Sequence, residues 1–226
     1  MTVKSMQNWA AIFDWDGVII DSSRQHEQSW EQLAREKREL LPPDFFKRSF
    51  GMKNERIIPG LFGWTSDAAW VRQLGDRKEE IYRDLILHDR ITPLPGVLEW
   101  LNALRAGAIP CAIGSSTPRE NIECVIDALK LRDFFQVIVA GQDVTHGKPN
   151  PEVFLIGARR LGVPPARCVV FEDAHVGLEA ARAGGMKVVG VATTHPADTL
   201  RDADRVVMRM DELSVKEVGS WFPALS

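Results

Sequence analysis

Apolar residues gather along the chain in short runs, each followed by a stretch in which apolar positions recur every three or four residues. The runs Ala10–Phe13, Ile109–Ile113, Val137–Ala140, Cys168–Phe171 and Lys187–Val191 are near-continuous. They predict strands of a parallel sheet covered on both faces. The stretches between the later runs predict helices. Gly96–Ala106 places Val97, Leu101 and Leu104 on one face, and Arg119–Leu131 does the same with Ile122, Val125, Ile126 and Leu129. Pro151–Leu161 opens with a proline suited to a first helical turn. His175–Ala183 is rich in alanine and stops at Gly184-Gly185. Strands alternating with helices imply an α/β fold with a doubly wound parallel sheet, whose sites lie beyond the carboxyl ends of the strands.

One interval breaks the alternation. Between Ser22 and Asp89 no strand pattern occurs, while Gln25–Glu39 and Ser66–Leu87 read as helices separated by Pro42-Pro43 and by Gly51–Gly63. An interval of that length is too long for a loop. The expected organisation is a Rossmann-like core from residues 1–21 and 90–226, with an inserted α-helical domain at 22–89. Asp89–Gly96, with Pro93 and Pro95, reads as the return linker, and the tail from Arg209 to Ser226 as a closing helix with a docked Trp221-Phe222.

Composition narrows the class without naming the chemistry. The chain has 226 residues, 45% hydrophobic and 26% charged, with a net charge of −3. That is an ordinary globular balance, and its mild acidity gives no reason to expect nucleic acid or an anionic membrane as partner. Cys111, Cys124 and Cys168 are odd in number and lack any CxxC spacing, so neither a zinc site nor a disulfide framework is expected. Cys111 and Cys168 sit in apolar runs and read as reduced core thiols. No apolar run is long enough to span a bilayer, and Met1–Ala10 lacks the apolar segment of a signal peptide, so a cytoplasmic location is expected. No heptad or interface patch stands out, so a monomer is expected, with a dimer left open.

The candidate chemistry sits at the ends of the strand runs. Ala10–Phe13 ends in Asp14-Trp15-Asp16-Gly17-Val18. Two acids spaced by two residues can face one site, Gly17 permits a tight turn, and the following amides can form an anion nest. Acids so close repel, and a cation relieves the repulsion. The plain alternative is an acidic turn. Glu172-Asp173 closes another strand at the start of a helix, where Asp173 alternatively serves as an N-cap. Carboxylates converging from two strands suit magnesium. Gly114-Ser115-Ser116-Thr117-Pro118 follows a third strand, where hydroxyls and free amides suit a phosphate or simply cap the next helix. Lys148, before Pro149, follows a fourth strand as a point charge for a phosphate, or as a solvated surface lysine.

Taken in order, these elements resemble the four motifs of the haloacid dehalogenase superfamily, over about Ala11 to Val191. The match is closest to the β-phosphoglucomutase-like branch, which carries a helical (type C1) cap after its first motif. Asp14 to Ser22 (DWDGVIIDS), Gly147 to Glu152 (GKPNPE) and Phe171 to Gly177 (FEDAHVG) carry the resemblance. It implies that Asp14 is the nucleophile that becomes an aspartyl phosphate, and that Asp16 is the general acid and base. It implies Mg2+ held by the Asp14 carboxylate, the Asp16 carbonyl and the Asp173 carboxylate, with Glu172 in support. Ser115, the Ser116 amide, Lys148 and the Gly17 turn would hold the phosphoryl group. In the cap, His26 and Lys78 fall at positions where relatives place residues beside the site, and Asn54 lies in the loop Gly51 to Arg56. That loop departs from the mutase pattern, because Asn54 stands where the mutase carries an arginine for a distal phosphate. Lys53 or Arg56 would have to substitute, and arginine and lysine are not equivalent for a bidentate grip. Trp15 replaces the commoner leucine, methionine or phenylalanine. Trp30, Trp64, Trp70 and Trp100 read as packing residues. The expectation is a magnesium-dependent phosphatase of a small, sugar phosphate-like metabolite. The alternatives are a phosphosugar mutase and a non-catalytic binding protein of the same fold.

Overall fold

The computed structural model describes residues 9–49 and 52–223. Met1–Asn8, Phe50, Gly51 and Ala224–Ser226 lie outside the described residues, and with them the first residue of the loop Gly51 to Arg56, most of the segment Met1–Ala10 and the end of the tail.

The first compact unit comprises Met1–Asp21 and Thr92–Ser226. Its centre is a six-stranded parallel sheet in the order β3-β2-β1-β4-β5-β6. The strands are β1 (Ala10–Phe13), β2 (Cys111–Gly114), β3 (Val137–Val139), β4 (Cys168–Glu172), β5 (Lys187–Val191) and β6 (Arg205–Val207). Every residue of β1, β2 and β4 is buried, as expected of strands covered on both faces. The period of two divides β1 between the faces. Ala10 and Ile12 pack with Val153, Phe154 and Ala158 of one helix and Leu178, Ala180 and Ala181 of another. Phe13 turns the other way and stacks on Phe171 at 4.5 Å, which in turn meets Trp100 at 5.9 Å. The doubly wound core thus follows from continuous apolar runs with helices on both sides.

Some boundaries differ from the periodicity. β2 begins at Cys111 because Ile109 belongs to the closing turn of the preceding helix, its N–H returning to the Leu104 carbonyl after a left-handed Ala108. The helix from Arg119 stops at Leu129, since Lys130 is left-handed and the Leu131 amide closes onto Ile126. β6 was not legible: three residues at the sheet edge, with an exposed Arg205, carry no pattern. Phe222 stacks on Trp9 at 5.7 Å, so the tail docks through that ring. Cys111 and Cys168 are buried free thiols, and burial pushes both up to about 12, where they stay protonated.

The second unit, Ser22–Ile91, is helical. It contains α1 (Ser23–Lys37), α2 (Phe45–Ser49), α3 (Asn54–Arg56), a π-helical turn at Ile57–Phe62 and α4 (Ala68–Asp89). The core helices that follow are α5 (Val97–Ala106), α6 (Arg119–Leu129), α7 (Glu152–Leu161), α8 (His175–Ala183) and α9 (Val215–Gly219). α4 starts where Asp67 accepts the Trp70 amide at 2.8 Å, an N-cap of about 1 kcal/mol. Trp30, Leu33, Ile57, Ile58, Val71, Leu74 and Ile81 form this unit's own core. Trp70 corrects the packing expectation for the tryptophans: it is 41% exposed, with the Lys37 ammonium 5.5 Å from its ring. Among the described residues no helix is long and apolar enough to cross a membrane.

Candidate active site

β1 and β4 are neighbours although they are far apart in sequence, so the direction of strand order reverses between them. Such a switch point opens a crevice at the carboxyl ends of the strands. The registers set what lines it. Phe13 is level with Ile113 of β2 and with Phe171 of β4. Asp14, just past β1, therefore lies beside Glu172, the last residue of β4, and the Asp14 amide is pinned to the Phe171 carbonyl at 2.9 Å.

Asp14, Glu172 and Asp173 bring carboxylate oxygens within 4.8 Å of one another. Lys148, from the loop after β3, lies 2.9 Å from Asp14 Oδ1 and 2.5 Å from Glu172 Oε1. Burial works against its ammonium, but Asp14 and Glu172 outweigh burial and hold its pKa above the ordinary lysine value. The acids respond in the opposite sense. Burial raises Glu172, opposed by Lys148. Burial, then Glu172 and Asp14, raise Asp173. One ammonium does not neutralise three crowded carboxylates. An all-oxygen donor set with surplus negative charge fits a hard divalent cation such as magnesium.

The turn after β1 depends on Gly17. Its φ is +79°, and a Cβ there would run into the Asp173 carboxylate. Gly177 has a related role on the other side, since a Cβ would collide with Glu172. The capping reading of Asp173 is corrected: Ala174 is the N-cap residue of α8, and Glu172 Oε2 accepts its amide at 2.8 Å. Asp173 is left for other work.

Asp16 stands apart from the acid cluster, with Thr117 Oγ1 donating to its Oδ2 at 2.5 Å. Ser115 is buried beyond β2, its N–H on Val139 O at 3.0 Å and its Oγ accepting the Thr117 amide at 3.2 Å. Ser116 is exposed. Trp15 is fully buried, and its indole nitrogen has no hydrogen-bond partner, so it is a packing residue and no wall of the crevice.

The helical unit gathers its own polar cluster. Lys78 Nζ lies 2.7 Å from His26 Nδ1 and donates to both Glu79 oxygens at 3.0 and 3.2 Å. Asn54 Nδ2 donates to Glu79 Oε1 at 2.7 Å. His26 stacks on Tyr82 at 4.1 Å. Burial and then the Lys78 charge lower the His26 pKa to about 3, so its imidazole is neutral. The structure therefore unites His26, Lys78 and Asn54, while Lys53 and Arg56 are exposed.

Sequence reasoning missed Glu79, Thr193 and Thr194, and placed Thr117 in the hydroxyl cluster without its bond to Asp16. Thr193 Oγ1 donates to the Gly17 carbonyl, and Thr194 Oγ1 to Asp173 Oδ2. A pair of hydroxyls just past the end of β5 was the available signal.

Comparison with known proteins gives matches in sequence family and in fold. The family model of haloacid dehalogenase-like hydrolases matches residues 10–185. The chain is 43% identical over 208 residues to a chloroplastic 5-amino-6-(5-phospho-D-ribitylamino)uracil phosphatase of Arabidopsis thaliana, with 91% of this chain and 55% of that protein covered. It thus spans about half the length of that relative. It is 34% identical over 183 residues to the fructose-1-phosphate phosphatase YqaB of Escherichia coli, covering 80% of this chain and 94% of that one. Among solved structures, β-phosphoglucomutase from Clostridium difficile matches with TM-score 0.79 at 27% identity, covering 94% of this chain and 96% of the other.

Proposed function

We propose, from the premise that the chain belongs to the haloacid dehalogenase-like hydrolase family and to its β-phosphoglucomutase-like branch, that it is a magnesium-dependent phosphatase of a small phosphorylated metabolite. The observation that carries this reading is the Asp14, Glu172 and Asp173 cluster at the β1/β4 switch point with Lys148 set among it.

Asp14 attacks the phosphorus in line with the ester bond, forming an aspartyl phosphate as the ester P–O bond breaks. Asp16 gives its proton to the departing oxygen, which leaves as a hydroxyl. It then takes a proton from the water that attacks the aspartyl phosphate, releasing inorganic phosphate and restoring Asp14. Thr117 holds the Asp16 carboxyl for both transfers. Lys148 and the buried Ser115 serve the phosphoryl oxygens and the Ser116 amide extends that cradle, because charge spreads over those oxygens in transfer. The amides after Asp16 form no anion nest, which corrects the expectation for the Gly17 turn: the Gly17 N–H goes to the Ile20 carbonyl at 2.7 Å, and those of Val18 and Ile19 go to the Trp15 carbonyl. Asp14, Glu172 and Asp173, with the Asp16 carbonyl, would hold Mg2+, which supplies charge neutralisation for the phosphoryl group and relieves the carboxylate repulsion.

The helical unit, as a cap, would read the rest of the substrate. Its cluster favours a phosphatase over a mutase. Asn54, at the position of the mutase arginine, gives its amide N–H to Glu79, whose carboxylate also engages Lys78. The Lys78–Glu79 pair is neutral overall and Asn54 adds no charge, so the cluster brings no net positive charge for a second phosphate and suits hydroxyl groups instead. A polyol phosphate, such as the phosphoribityl compound of the Arabidopsis relative or a ketose phosphate, fits that pattern.

The test is phosphate release with Mg2+ across these esters and β-glucose 1-phosphate, the last with trace 1,6-bisphosphate and followed for glucose 6-phosphate. Release that is lost in excess chelator and falls by at least about 10⁴-fold in Asp14→Asn is expected. Turnover surviving Asp14→Asn removes the nucleophile assignment. Isomerisation without release establishes a mutase.

A further inference from the structure

The segment just beyond β5 lies against the acid cluster. Thr193 Oγ1 donates to the Gly17 carbonyl, and Thr194 Oγ1 donates to Asp173 Oδ2. A hydroxyl has one proton, so with that proton on the carboxylate the Thr194 oxygen is an acceptor towards its other neighbour. That neighbour is His195 Nδ1, 3.0 Å from Thr194 Oγ1 and 3.0 Å from the Asp173 carbonyl oxygen. Both contacts call for a donor, so the network assigns the ring hydrogen to Nδ1, shared between the two oxygens. The His195 ring meets His175 edge-on at 4.8 Å, which braces it from the start of α8. Three consecutive residues, Thr193, Thr194 and His195, therefore hold the turn after Asp16, one side-chain oxygen of Asp173 and the Asp173 main chain.

We propose that Thr194, backed by His195, is the positioning group that fixes the Asp173 carboxylate for divalent-cation binding, with Thr193 keeping the Gly17 turn in register beside it. An aspartate is free to rotate about two side-chain bonds, and a rotated carboxylate leaves the cluster. The Thr194 bond removes that freedom. The Gly17 turn closes over the same oxygen, Asp173 Oδ2: even a Cβ there would strike it and come within 3.1 Å of Thr194 Cγ2. Partners behind a metal ligand commonly set affinity by about 10–100-fold. This inference rests on the reading of Asp14, Glu172 and Asp173 as the cation site.

The experiment titrates magnesium chloride into substrate-free protein and follows binding heat, together with the rise in melting temperature. Thr194→Val is expected to bind Mg2+ at least about tenfold more weakly than the parent, Thr194→Ser close to the parent, and His195→Ala between the two. The metal-free melting temperature of Thr194→Ser and His195→Ala stays near that of the parent. Parent-like affinity in Thr194→Val overturns the proposal. If Thr194→Val does not fold, His195→Ala decides: parent-like affinity there overturns it too. Asp173→Asn separates the two levels. Loss of Mg2+ binding in Asp173→Asn with none in Thr194→Val rejects the positioning role alone, whereas full binding in Asp173→Asn rejects the site itself and the proposal with it.

Discussion

Among the described residues, each unit of the molecule buries a lysine side chain in a polar cluster, and the two are held in different ways. Lys148 arrives on a loop and lies between two carboxylates from different strand ends, Asp14 and Glu172. Lys78 stands in the middle of α4. Its carboxylate partner, Glu79, is the next residue in the chain, and its other neighbours are the neutral His26 and the faces of Trp30 and Tyr82, 5.5 and 5.4 Å away. In the core the lysine offsets a surplus of negative charge that the sheet topology creates. In the helical unit one carboxylate serves one lysine and one amide, and aromatic rings complete the shell. Under the proposed function, the first arrangement would meet the charge-rich phosphoryl group and the second a polar but less charged part of the substrate.

The largest expected difference comes from removing each lysine. Lys148→Ala leaves crowded, buried carboxylates without their counter-charge. In chelator its stability should fall by about 3–5 kcal/mol, the usual cost of breaking a buried pair from one side. Turnover should fall by about 10²–10³-fold or more, as for loss of a donor to a transition-state oxyanion. Magnesium should restore much of the stability and little of the turnover. Lys78→Met should cost less, about 1–3 kcal/mol for the stranded Glu79 carboxylate. It should act more on KM for a specific ester than on hydrolysis of a small aryl phosphate. Urea melts with and without Mg2+, paired with kinetics on both substrates, check this. Equal losses in the two variants would break the comparison.

The next difference is in pH response. Asp173 is held above its ordinary range by burial and by Glu172 and Asp14. From about pH 4 upward the unfolded chain has released a proton that the native chain keeps. The contribution of Asp173 to the stability of the metal-free protein therefore falls as pH rises through that window, and it shows most clearly above about pH 6.5, where His26 no longer titrates in the unfolded chain. Asp173→Asn should flatten that fall, and Mg2+ should abolish it in the parent. His26 gives the opposite slope. Its pKa is lowered to about 3 in the fold, from 6.5, by burial and Lys78. Between those values the unfolded chain binds the extra proton, so stability is lost as pH falls. His26→Gln should remove that acid-side slope. For a chain of 226 residues, shifts of about 2–4 °C per kcal/mol make both visible in melting curves. A parent protein that melts identically across pH 4–8 in chelator would contradict the crowded-acid account.

The two clusters also differ in how far the sequence disclosed them. Asp14, Asp16, Ser115, Glu172 and Asp173 each stand at the end of a strand run, and parallel strands deliver such residues to one edge whatever the loop details; Lys148 comes later, in the loop after β3, and was legible from the residues Gly147 to Glu152 around it. That is why the core site was legible before any coordinates. Thr117 was visible as one hydroxyl among several, but its aim at Asp16 depends on a local turn built on Ser115 Oγ. Thr193 and Thr194 follow β5, yet their contacts with Gly17 and Asp173 span 176 and 21 residues and have no periodic signature. Glu79 was hidden for another reason. In a helix its neighbours Lys78 and Glu80 look equally like surface charges, and only the packing of α3 against α4, which brings Asn54 to it, decides which acid is buried. β6 escaped because a three-residue edge strand has too few positions to carry a period.

The smallest expected effect tests a residue that stands inside the motif yet outside the chemistry. Trp15 lies between Asp14 and Asp16, fully buried, with an indole N–H that meets no acceptor. Burying an unpaired N–H costs about 1–3 kcal/mol, while the rest of the ring contributes apolar burial. Trp15→Phe removes the orphan donor and keeps an aromatic ring, at the expense of some filled volume. The two changes oppose each other, so stability should move by no more than about 1 kcal/mol. Turnover and Mg2+ affinity should stay within about twofold of the parent, because neither the Asp14 amide bond to Phe171 nor the Thr117 bond to Asp16 involves the indole. A tenfold loss of turnover with unchanged melting would show that the indole shapes the crevice, and would move Trp15 from the packing of the core to the reading of the substrate.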